Sequence, residues 1–151
     1  LVNMACFGLI SVELDEGVEL PPLQIVVMQA NINKYADASG DHNPIHIDQE
    51  FASKTPAKGT IAHGMLVLAY ISQVLTSAFG VSWVSAGKID VRFKTPARPG
   101  DTLSISGKII RIENSDGRKI VHCDITCTNQ GDEVVVLGNV EVKIGDNQDC
   151  S

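Results

Sequence analysis

The stretch that most limits how this chain can fold runs from about Ala62 to Phe79. It predicts the longest helix of the chain, and its apolar side chains cover nearly the whole circumference, so this helix must be covered on most of its sides. Gly80 follows, at a position where helices commonly end. The stretch has marginal length for a membrane span. It also contains polar side chains, those of His63, Ser72, Gln73, Thr76 and Ser77. We therefore predict a buried helix in a water-soluble protein.

Two shorter helices are expected before the long one. The first ends at Ser39, and either Asn31 or Asn33 can cap its start. The second is predicted from Gln49 to Lys54, with Phe51 as the side chain that anchors it in the core.

From Val81 onward the pattern changes to alternating apolar and polar residues, which is the period of a strand with one buried face. Turn residues interrupt the alternation at Pro99-Gly100-Asp101, Asn114-Ser115-Asp116-Gly117 and Gln130-Gly131-Asp132. Together with an apolar run from Leu23 to Met28, this predicts an antiparallel meander of four or five strands. Helices followed by such strands indicate the α+β class, and we expect the sheet to curve around the long helix.

The chain of 151 residues is long enough for a proper core, and no linker or repeat divides it. We predict one domain over residues 1–151, in which 1–16 and 145–151 are peripheral. The net charge of −6 argues against nucleic acid or an anionic membrane surface as a main partner.

The four cysteines, Cys6, Cys123, Cys127 and Cys150, have no CxxC spacing. Cys123 and Cys127 fall on one predicted strand and point to the same face, where they are too far apart to form a disulfide. We interpret them as reduced core residues and expect a cytoplasmic protein. A zinc site with His122 is disfavoured because His122 points to the opposite face.

The segment from Ser39 to Asp48 concentrates ionisable and amide side chains. Pro44 excludes a regular helix through it and Gly40 suits a left-handed helix end, so we predict a shaped loop. Asp41 and His46 are suited to share one water molecule and to move a proton. The alternative is structural: Asp41 caps a turn and His46 forms a stabilising hydrogen bond.

His42 and His46 have the spacing of two metal ligands on one face of a helix. Pro44 lies between them and breaks such a helix, and no third soft ligand is close in the sequence. We therefore predict no metal site.

His63 and Gly64 fall in the first turn of the predicted long helix, where backbone N–H groups have no intrahelical partner and the helix dipole is positive. Because Gly64 has no side chain, an oxygen atom can approach its N–H closely, as an oxyanion requires. The competing interpretations are that Gly64 permits tight packing and that His63 is a satisfied core histidine. Ser72, two turns further along, either faces this site or bonds back to the helix backbone.

Lys88, Arg92, Lys94 and Arg98 form a basic stretch in an acidic protein. A solvated strand face is the ordinary explanation, and a site for phosphate groups is the alternative. The pattern alone leaves both open.

The motif Tyr35-Ala36-Asp37-Ala38-Ser39-Gly40-Asp41-His42-Asn43-Pro44-Ile45-His46, followed by Phe51-Ala52, resembles the signature of the MaoC-like, (R)-specific enoyl-CoA hydratases. Two further stretches are similar to that family, Ile61-Ala62-His63-Gly64-Met65-Leu66 and Val91-Arg92-Phe93-Lys94 to Pro99-Gly100-Asp101. The likeness extends from about Gly17 to Ile144. It implies a hot-dog fold, in which a curved antiparallel sheet wraps a long central helix, and usually a homodimer.

Carried over to this sequence, the resemblance implies that Asp41 and His46 are the catalytic pair and that the Gly64 N–H is the oxyanion donor. Ser72 falls where family members often have an active-site serine. The residues that we expect to bind substrate are Asn43, His63, Ser72, Lys94 and Arg98. The two basic residues among them would meet the phosphates of the carrier.

The implied reaction is the reversible hydration of trans-2-enoyl-CoA to (3R)-hydroxyacyl-CoA, in fatty-acid or polyhydroxyalkanoate-type acyl metabolism. No metal or redox cofactor is expected, and CoA enters only as part of the substrate. The alternatives are a (3R)-hydroxyacyl-ACP dehydratase of fatty-acid synthesis, a hot-dog thioesterase, and a non-catalytic subunit that binds acyl thioesters. The first would need an extended basic rim for an acidic carrier protein, and the intact pair of Asp41 and His46 disfavours the last.

Overall fold

The structure, a computed structural model, describes residues 10–145. In chain order its elements are β1 (Leu23–Val26), α1 (Gln29–Ser39), α2 (Pro44–Ile47), α3 (Gln49–Ser53), α4 (Gly64–Phe79), α5 (Val81–Ala86), β2 (Gly87–Phe93), β3 (Thr102–Ser115), β4 (Arg118–Thr128) and β5 (Val134–Gly145). The order agrees with the predicted α+β class. The predictions for residues 1–9 and 146–151, which include Cys6 and Cys150, lie outside the described residues.

The strands form one antiparallel sheet in the order β1-β3-β4-β5-β2. β3, β4 and β5 follow one another as the predicted meander, with the expected turn at Asp116-Gly117 between the first two. β2 departs from a simple meander because it pairs with β5 at the far edge of the sheet rather than with β3, its neighbour in sequence. The connection over residues 94–101 therefore carries the chain past β5 and β4.

The core lies between α4 and one face of the sheet. On β4 every second residue from Val121 to Cys127 is buried, while Ile71, Leu75 and Phe79 of α4 are fully enclosed. The predicted central helix and single buried sheet face are confirmed. One side of α4 remains open, since Met65 is 58 % exposed. None of the helices in residues 10–145 is long and apolar enough to cross a membrane.

The two cysteines of β4 behave as the sequence predicted. Cys123 and Cys127 are buried free thiols on the core face. Burial raises the pKa of the Cys123 thiol to about 12, with a further contribution from the Asp124 carboxylate, and raises the pKa of Cys127 to about 11. His122 lies on the opposite face, where its Nε2 is 3.7 Å from Glu113 Oε2, so it forms no metal site with the cysteines.

The segment after α4 is a helix, α5, where the alternating pattern from Val81 predicted a strand. Gly80 ends α4 with a φ of 53°, and the chain turns at once into α5. The aromatic ring of Trp83 then packs on the backbone of Gly87, where a Cβ would lie only 2.1 Å from a ring carbon. This local packing, which the alternating pattern does not encode, overrides the strand prediction.

The start of α1 also differs from the prediction. α1 begins at Gln29, and the N-cap is Met28, which is extended and gives no side-chain hydrogen bond. The expected caps, Asn31 and Asn33, lie inside the helix. Asn33 instead accepts a hydrogen bond from Gln29 Nε2 at 2.9 Å, four residues earlier on the same face.

α3 buries a single small side chain in the core. Ala52 is fully buried, whereas Phe51 is 47 % exposed, so the expected phenylalanine anchor is wrong. Successive residues of a helix point about 100° apart. Burial of Ala52 therefore turns Phe51 toward the surface.

Candidate active site

The segment that follows α1 is fixed by hydrogen bonds between its own side chains and backbone. Gly40 ends α1 in the left-handed region at φ 79°, as predicted, and its N–H donates to Ala36 O at 2.9 Å. The Asp41 carboxylate then accepts a hydrogen bond from the Asn43 N–H at 3.2 Å. The amide oxygen of Asn43, an expected substrate contact, accepts from the Ile45 N–H at 3.2 Å and caps α2.

The predicted loop contains one helical turn. α2 begins at Pro44, which occupies the first helical position, where its missing N–H is not needed and its fixed φ suits the helix. No helix runs through Pro44, as predicted, but a short helix begins at it, so the prediction of a loop is wrong for Pro44–Ile47. The turn carries His46, whose ring contacts the residues just before α4.

The ring of His46 has a defined tautomer. Its Nδ1 lies 2.8 Å from the backbone oxygen of Ile61. A carbonyl oxygen can only accept, so Nδ1 carries the hydrogen and donates. In the neutral ring Nε2 then holds a free lone pair, which is the group that can take a proton from water.

His63 lies behind the predicted pair. It is only 2 % exposed, and its ring stacks on that of His46 with centroids 3.8 Å apart and planes 28° apart. Its Nε2 lies 2.9 Å from the backbone oxygen of Asp41 and therefore donates to it. Nδ1 of His63 is buried without a partner among residues 10–145, and the Tyr35 ring lies 4.9 Å away. His63 thus joins the loop to the start of α4.

The distances within the site fit one shared water molecule. One carboxylate oxygen of Asp41 and one ring nitrogen each of His46 and His63 lie within 4.8 Å of one another. Two hydrogen bonds of about 2.8 Å that meet at one water at a tetrahedral angle span about 4.6 Å. Asp41 is exposed and His46 is half-buried, so this position is open to solvent.

The same three residues are a poor cage for a metal ion. A histidine ligand binds through a lone pair in the plane of its ring, and a bound zinc ion needs such lone pairs to converge tetrahedrally. The rings of His46 and His63 are stacked, so their lone pairs lie in separate, nearly parallel planes. His42 points elsewhere: its Nε2 is 2.9 Å from Asp37 Oδ1.

Gly64 is the first residue of α4, as the sequence predicted within two residues. No acceptor within residues 10–145 bonds to its N–H, which lies at the positive end of the helix dipole. A Cβ added to Gly64 would lie 3.1 Å from Phe93 Cε1, so the ring of Phe93 covers this backbone. Gly64, Val67 and Phe93 line a cavity of about 290 Å³ with mostly apolar walls.

Ser72 is not brought to the pair. It lies eight residues beyond Gly64 on α4, which is about 12 Å along the helix axis. Its hydroxyl accepts a hydrogen bond from Trp83 Nε1 at 2.8 Å and so joins α4 to α5.

Lys94 and Arg98 lie beside two neighbouring cavities. Lys94 lines the apolar cavity at Gly64, and Arg98 lines a second cavity of about 440 Å³. Neither forms an ion pair with a carboxylate in the part of the chain that the structure describes, whereas Lys88 lies 3.5 Å from Glu141. Unlike Lys88, these two residues are therefore free to meet an anion.

Sequence reasoning missed several groups that hold the pair. The carbonyl oxygen of Ile61 carries no side-chain signature, and nothing in the pattern distinguished Gln29 or Thr60.

Comparison with known proteins identifies the family. The sequence matches the family described as MaoC like domain over residues 12–130, and the chain belongs to that family. It is 31% identical over 121 residues to a 3-hydroxybutyryl-CoA dehydratase from Methylorubrum extorquens, covering 78% of this chain and 73% of the relative. It is 32% identical over 135 residues to an (R)-specific enoyl-CoA hydratase from Rhodospirillum rubrum, covering 87% and 89%.

Solved structures agree with this assignment. An R-hydratase from Pseudomonas aeruginosa superposes with a TM-score of 0.75 at 27% sequence identity, covering 89% of this chain and 84% of that one. The predicted hot-dog fold is confirmed. The family relationship supports a lyase that adds or removes water.

Proposed function

We propose that this protein catalyses the reversible hydration of trans-2-enoyl-CoA to (3R)-hydroxyacyl-CoA. The observation that carries the proposal is the spacing of Asp41 and His46: a carboxylate oxygen of Asp41 and a ring nitrogen of His46 lie within 4.8 Å of each other, a separation that one bridging water can span. Similarity to an (R)-specific enoyl-CoA hydratase and to a 3-hydroxybutyryl-CoA dehydratase supports the same reaction in its two directions.

In the proposed mechanism Asp41 and His46 are the catalytic pair and hold one water. Its oxygen attacks the β-carbon of the enoyl thioester while His46 Nε2 takes one proton, and the π electrons move toward the thioester oxygen. The proton then passes to the α-carbon, so that H and OH have been added and the pair is restored. Each positioned proton transfer of this kind contributes about 10²–10⁴ in rate.

Gly64 is the proposed donor to the charge that develops on the thioester oxygen. Its N–H has no acceptor within residues 10–145 and lies at the positive end of α4. One such donor contributes about 3 kcal/mol to the transition state. The acyl chain would occupy the apolar cavity beside Gly64 and Phe93. His63, buried behind His46, would support the pair, and Ser72, bonded to Trp83, would lie beyond it.

Lys94 and Arg98 are proposed to meet the phosphates of CoA. The segments that line the two cavities are joined by the hydrogen bond from Ala62 N–H to Ala97 O at 2.8 Å, so the cavities lie next to each other. We expect Arg98→Ala to raise KM for crotonyl-CoA about tenfold and to leave KM for crotonyl-pantetheine, which lacks the nucleotide phosphates, unchanged. An equal rise with both substrates would contradict this role.

We propose that the reaction needs no metal, because the stacked rings at the site do not converge on an ion. Adding water to a double bond changes no overall oxidation state, so the proposed reaction needs no redox cofactor either. Dialysis against EDTA should therefore leave the rate unchanged. A rate that falls and returns on addition of zinc would overturn this part of the proposal.

The main assay follows the absorbance of enoyl-CoA with purified protein. We expect crotonyl-CoA to be hydrated without release of free thiol, and Asp41→Asn to lower the rate by at least about 10². Near-full activity of Asp41→Asn would show that the pair is wrongly assigned. Release of thiol would identify a thioesterase, and turnover of an acyl-ACP alone would identify a dehydratase of fatty-acid synthesis.

We also propose a homodimer. Strand β2 lies at an edge of the sheet, and exposed apolar side chains lie in it or shortly before it: Phe93, its last residue, is 50 % exposed, and Val81 and Val84 of α5 are 45 % and 73 % exposed. A second copy that pairs with this edge would cover them. Light scattering coupled to size-exclusion chromatography should give twice the chain mass of 16.2 kDa. A monomer would contradict the proposal.

A further inference from the structure

His46 is held through its backbone as well as through its ring. Its carbonyl oxygen lies near the end of α2, where the carbonyl groups of a helix have no partner within the helix. It accepts a hydrogen bond from Gln29 Nε2 at 2.8 Å. Because a carbonyl can only accept, the atom of Gln29 that faces it is the nitrogen, and this fixes which way the amide points.

The other atoms of the Gln29 amide are engaged too. Its Nε2 also donates to Asn33 Oδ1 at 2.9 Å, and its Oε1 accepts from Thr60 Oγ1 at 2.8 Å. Thr60 is only 6 % exposed. Both amide hydrogens and the amide oxygen therefore have partners, so the amide has one preferred orientation.

These bonds join α1, α2 and the segment before α4 at one place. Thr60 immediately precedes Ile61, whose carbonyl accepts from His46 Nδ1 and whose N–H donates to Ile45 O at 3.2 Å. α2 has four residues, far fewer than a helix needs to be stable alone. Its position must therefore come from such contacts, and Gln29 supplies one that links α2 both to α1 and to Thr60.

We propose that Gln29 is a positioning residue for the reaction: it fixes α2 against residues 60–61 so that His46 Nε2 stays aimed at the water. This inference rests on the proposed hydratase function. Gln29 reaches the reacting atoms only through the backbone of His46, so its loss should lower kcat and change KM little.

Two variants test the bond. Gln29→Glu has the same shape but places a second acceptor 2.8 Å from the His46 oxygen, which repels it. Gln29→Met keeps the length and removes the bond without repulsion. We expect kcat to fall about tenfold in Gln29→Met and further in Gln29→Glu, since small misplacements of a catalytic group are costly. The substrate is crotonyl-pantetheine, so that contacts with CoA phosphates do not enter.

The matched controls are Gln24→Glu and Gln24→Met. Gln24 lies on β1 and is exposed, and within residues 10–145 its side chain donates only to Ser104 Oγ at 3.3 Å, away from His46. We expect both controls to retain the kcat of the unaltered protein. Thermal unfolding of all variants shows whether each is folded under the assay conditions, and Gln29→Met provides the test if Gln29→Glu is unfolded.

A second readout reports on His46 directly and needs no turnover. Long-range ¹⁵N–¹H NMR spectra distinguish the Nδ1–H from the Nε2–H tautomer. We expect the Nδ1–H form of His46 in the unaltered protein and in both Gln24 variants, and a mixture of forms in folded Gln29 variants. An intact tautomer and a kcat within about twofold in the folded Gln29 variants would overturn the proposal. So would equal losses in the Gln24 variants. If the unaltered protein hydrates no enoyl thioester, the proposed function fails, and the tautomer still decides the role of Gln29.

Discussion

The polar groups at the two ends of α4 differ in whether they have hydrogen-bond partners. At its C-terminal end the backbone groups have partners: the Gly80 N–H donates to Thr76 O at 2.8 Å, and the Ser11 N–H donates to Ala78 O at 2.9 Å. At its N-terminal end Nδ1 of His63 is buried without a partner and the N–H of Gly64 has no acceptor, as far as residues 10–145 show.

This difference separates stability from function on a single helix. A buried polar group without a partner costs about 1–3 kcal/mol, so the N-terminal end is the less stable arrangement. An N–H that is left free at the positive end of a helix is also what an anionic oxygen can bind. The C-terminal end therefore supports the fold, and the N-terminal end is where substrate chemistry is expected.

The largest effect should come from a change at the N-terminal end. His46→Gln removes the lone pair of Nε2 and should lower kcat by about 10²–10⁴ with little change in melting temperature. At the other end, Thr76→Val removes the hydrogen bond from Thr76 Oγ1 to Ser72 O at 2.8 Å and should leave kcat unchanged. Steady-state kinetics and thermal unfolding of both variants check this. Similar losses of kcat in both would remove the contrast between the ends.

Gly64→Ala should separate activity from stability. The added Cβ would lie 3.1 Å from Phe93, whose half-exposed ring can move aside, and alanine favours a helix more than glycine does. We expect an unchanged or higher free energy of unfolding and a fall of about 10² in kcat/KM, because the methyl group hinders approach to the N–H. The double variant with Phe93→Ala tests whether the displaced ring is responsible. Full recovery of activity there would argue against the oxyanion role.

Trp83→Phe, near the C-terminal end of α4, should lower stability and leave activity unchanged, the opposite of Gly64→Ala. It deletes the donor to Ser72 Oγ and should lower the free energy of unfolding by about 1 kcal/mol, with kcat unchanged. Urea titration measures the first quantity and the enoyl-CoA assay the second. A large loss of kcat would mean that α5 supports the site as well as the fold.

The smallest effect concerns His42, on the exposed side of the site segment. Its hydrogen bond to the Asp37 carboxylate raises the pKa of His42 above its ordinary value. A raised pKa stabilises the folded state below about pH 6.5, and this contribution disappears as the pH rises through the raised pKa. We expect Asp37→Asn to lower the pKa of His42 toward its ordinary value, as an NMR titration would show. An unchanged rate at pH 8 would confirm that this pair stands apart from the catalysis.

Much of the fold could be predicted because it depends on local periodicity. The long apolar helix, the meander of β3 to β5 and the common buried face of Cys123 and Cys127 all follow from which residues repeat. The place of β2 beside β5 could not be predicted, because strand pairing is set by contacts between distant residues. α5 was missed because Trp83 packs on a glycine that the alternation does not single out.

The site was predicted as a set of side chains but not as an arrangement. Asp41, His46 and Gly64 were identified because their residue types suit the chemistry. Their supports are mostly backbone oxygens, such as that of Ile61, and a sequence pattern does not show which carbonyl faces a ring. For the same reason the bond from Trp83 to Ser72 could not be foreseen.

The stacked rings of His46 and His63 give the protein an internal reporter. The ring centroids are 3.8 Å apart, so the ring current of each imidazole shields the carbon-bound protons of the other. These protons should resonate upfield of those of His42 and His122, which have no stacked aromatic neighbour within residues 10–145. Because the chain has only four histidines, one-dimensional proton spectra can then separate the signals of His46 and His63 from those of His42 and His122. A ligand that separates the two rings would change the chemical shifts of these protons, so its binding could be detected without an isotope label and without turnover.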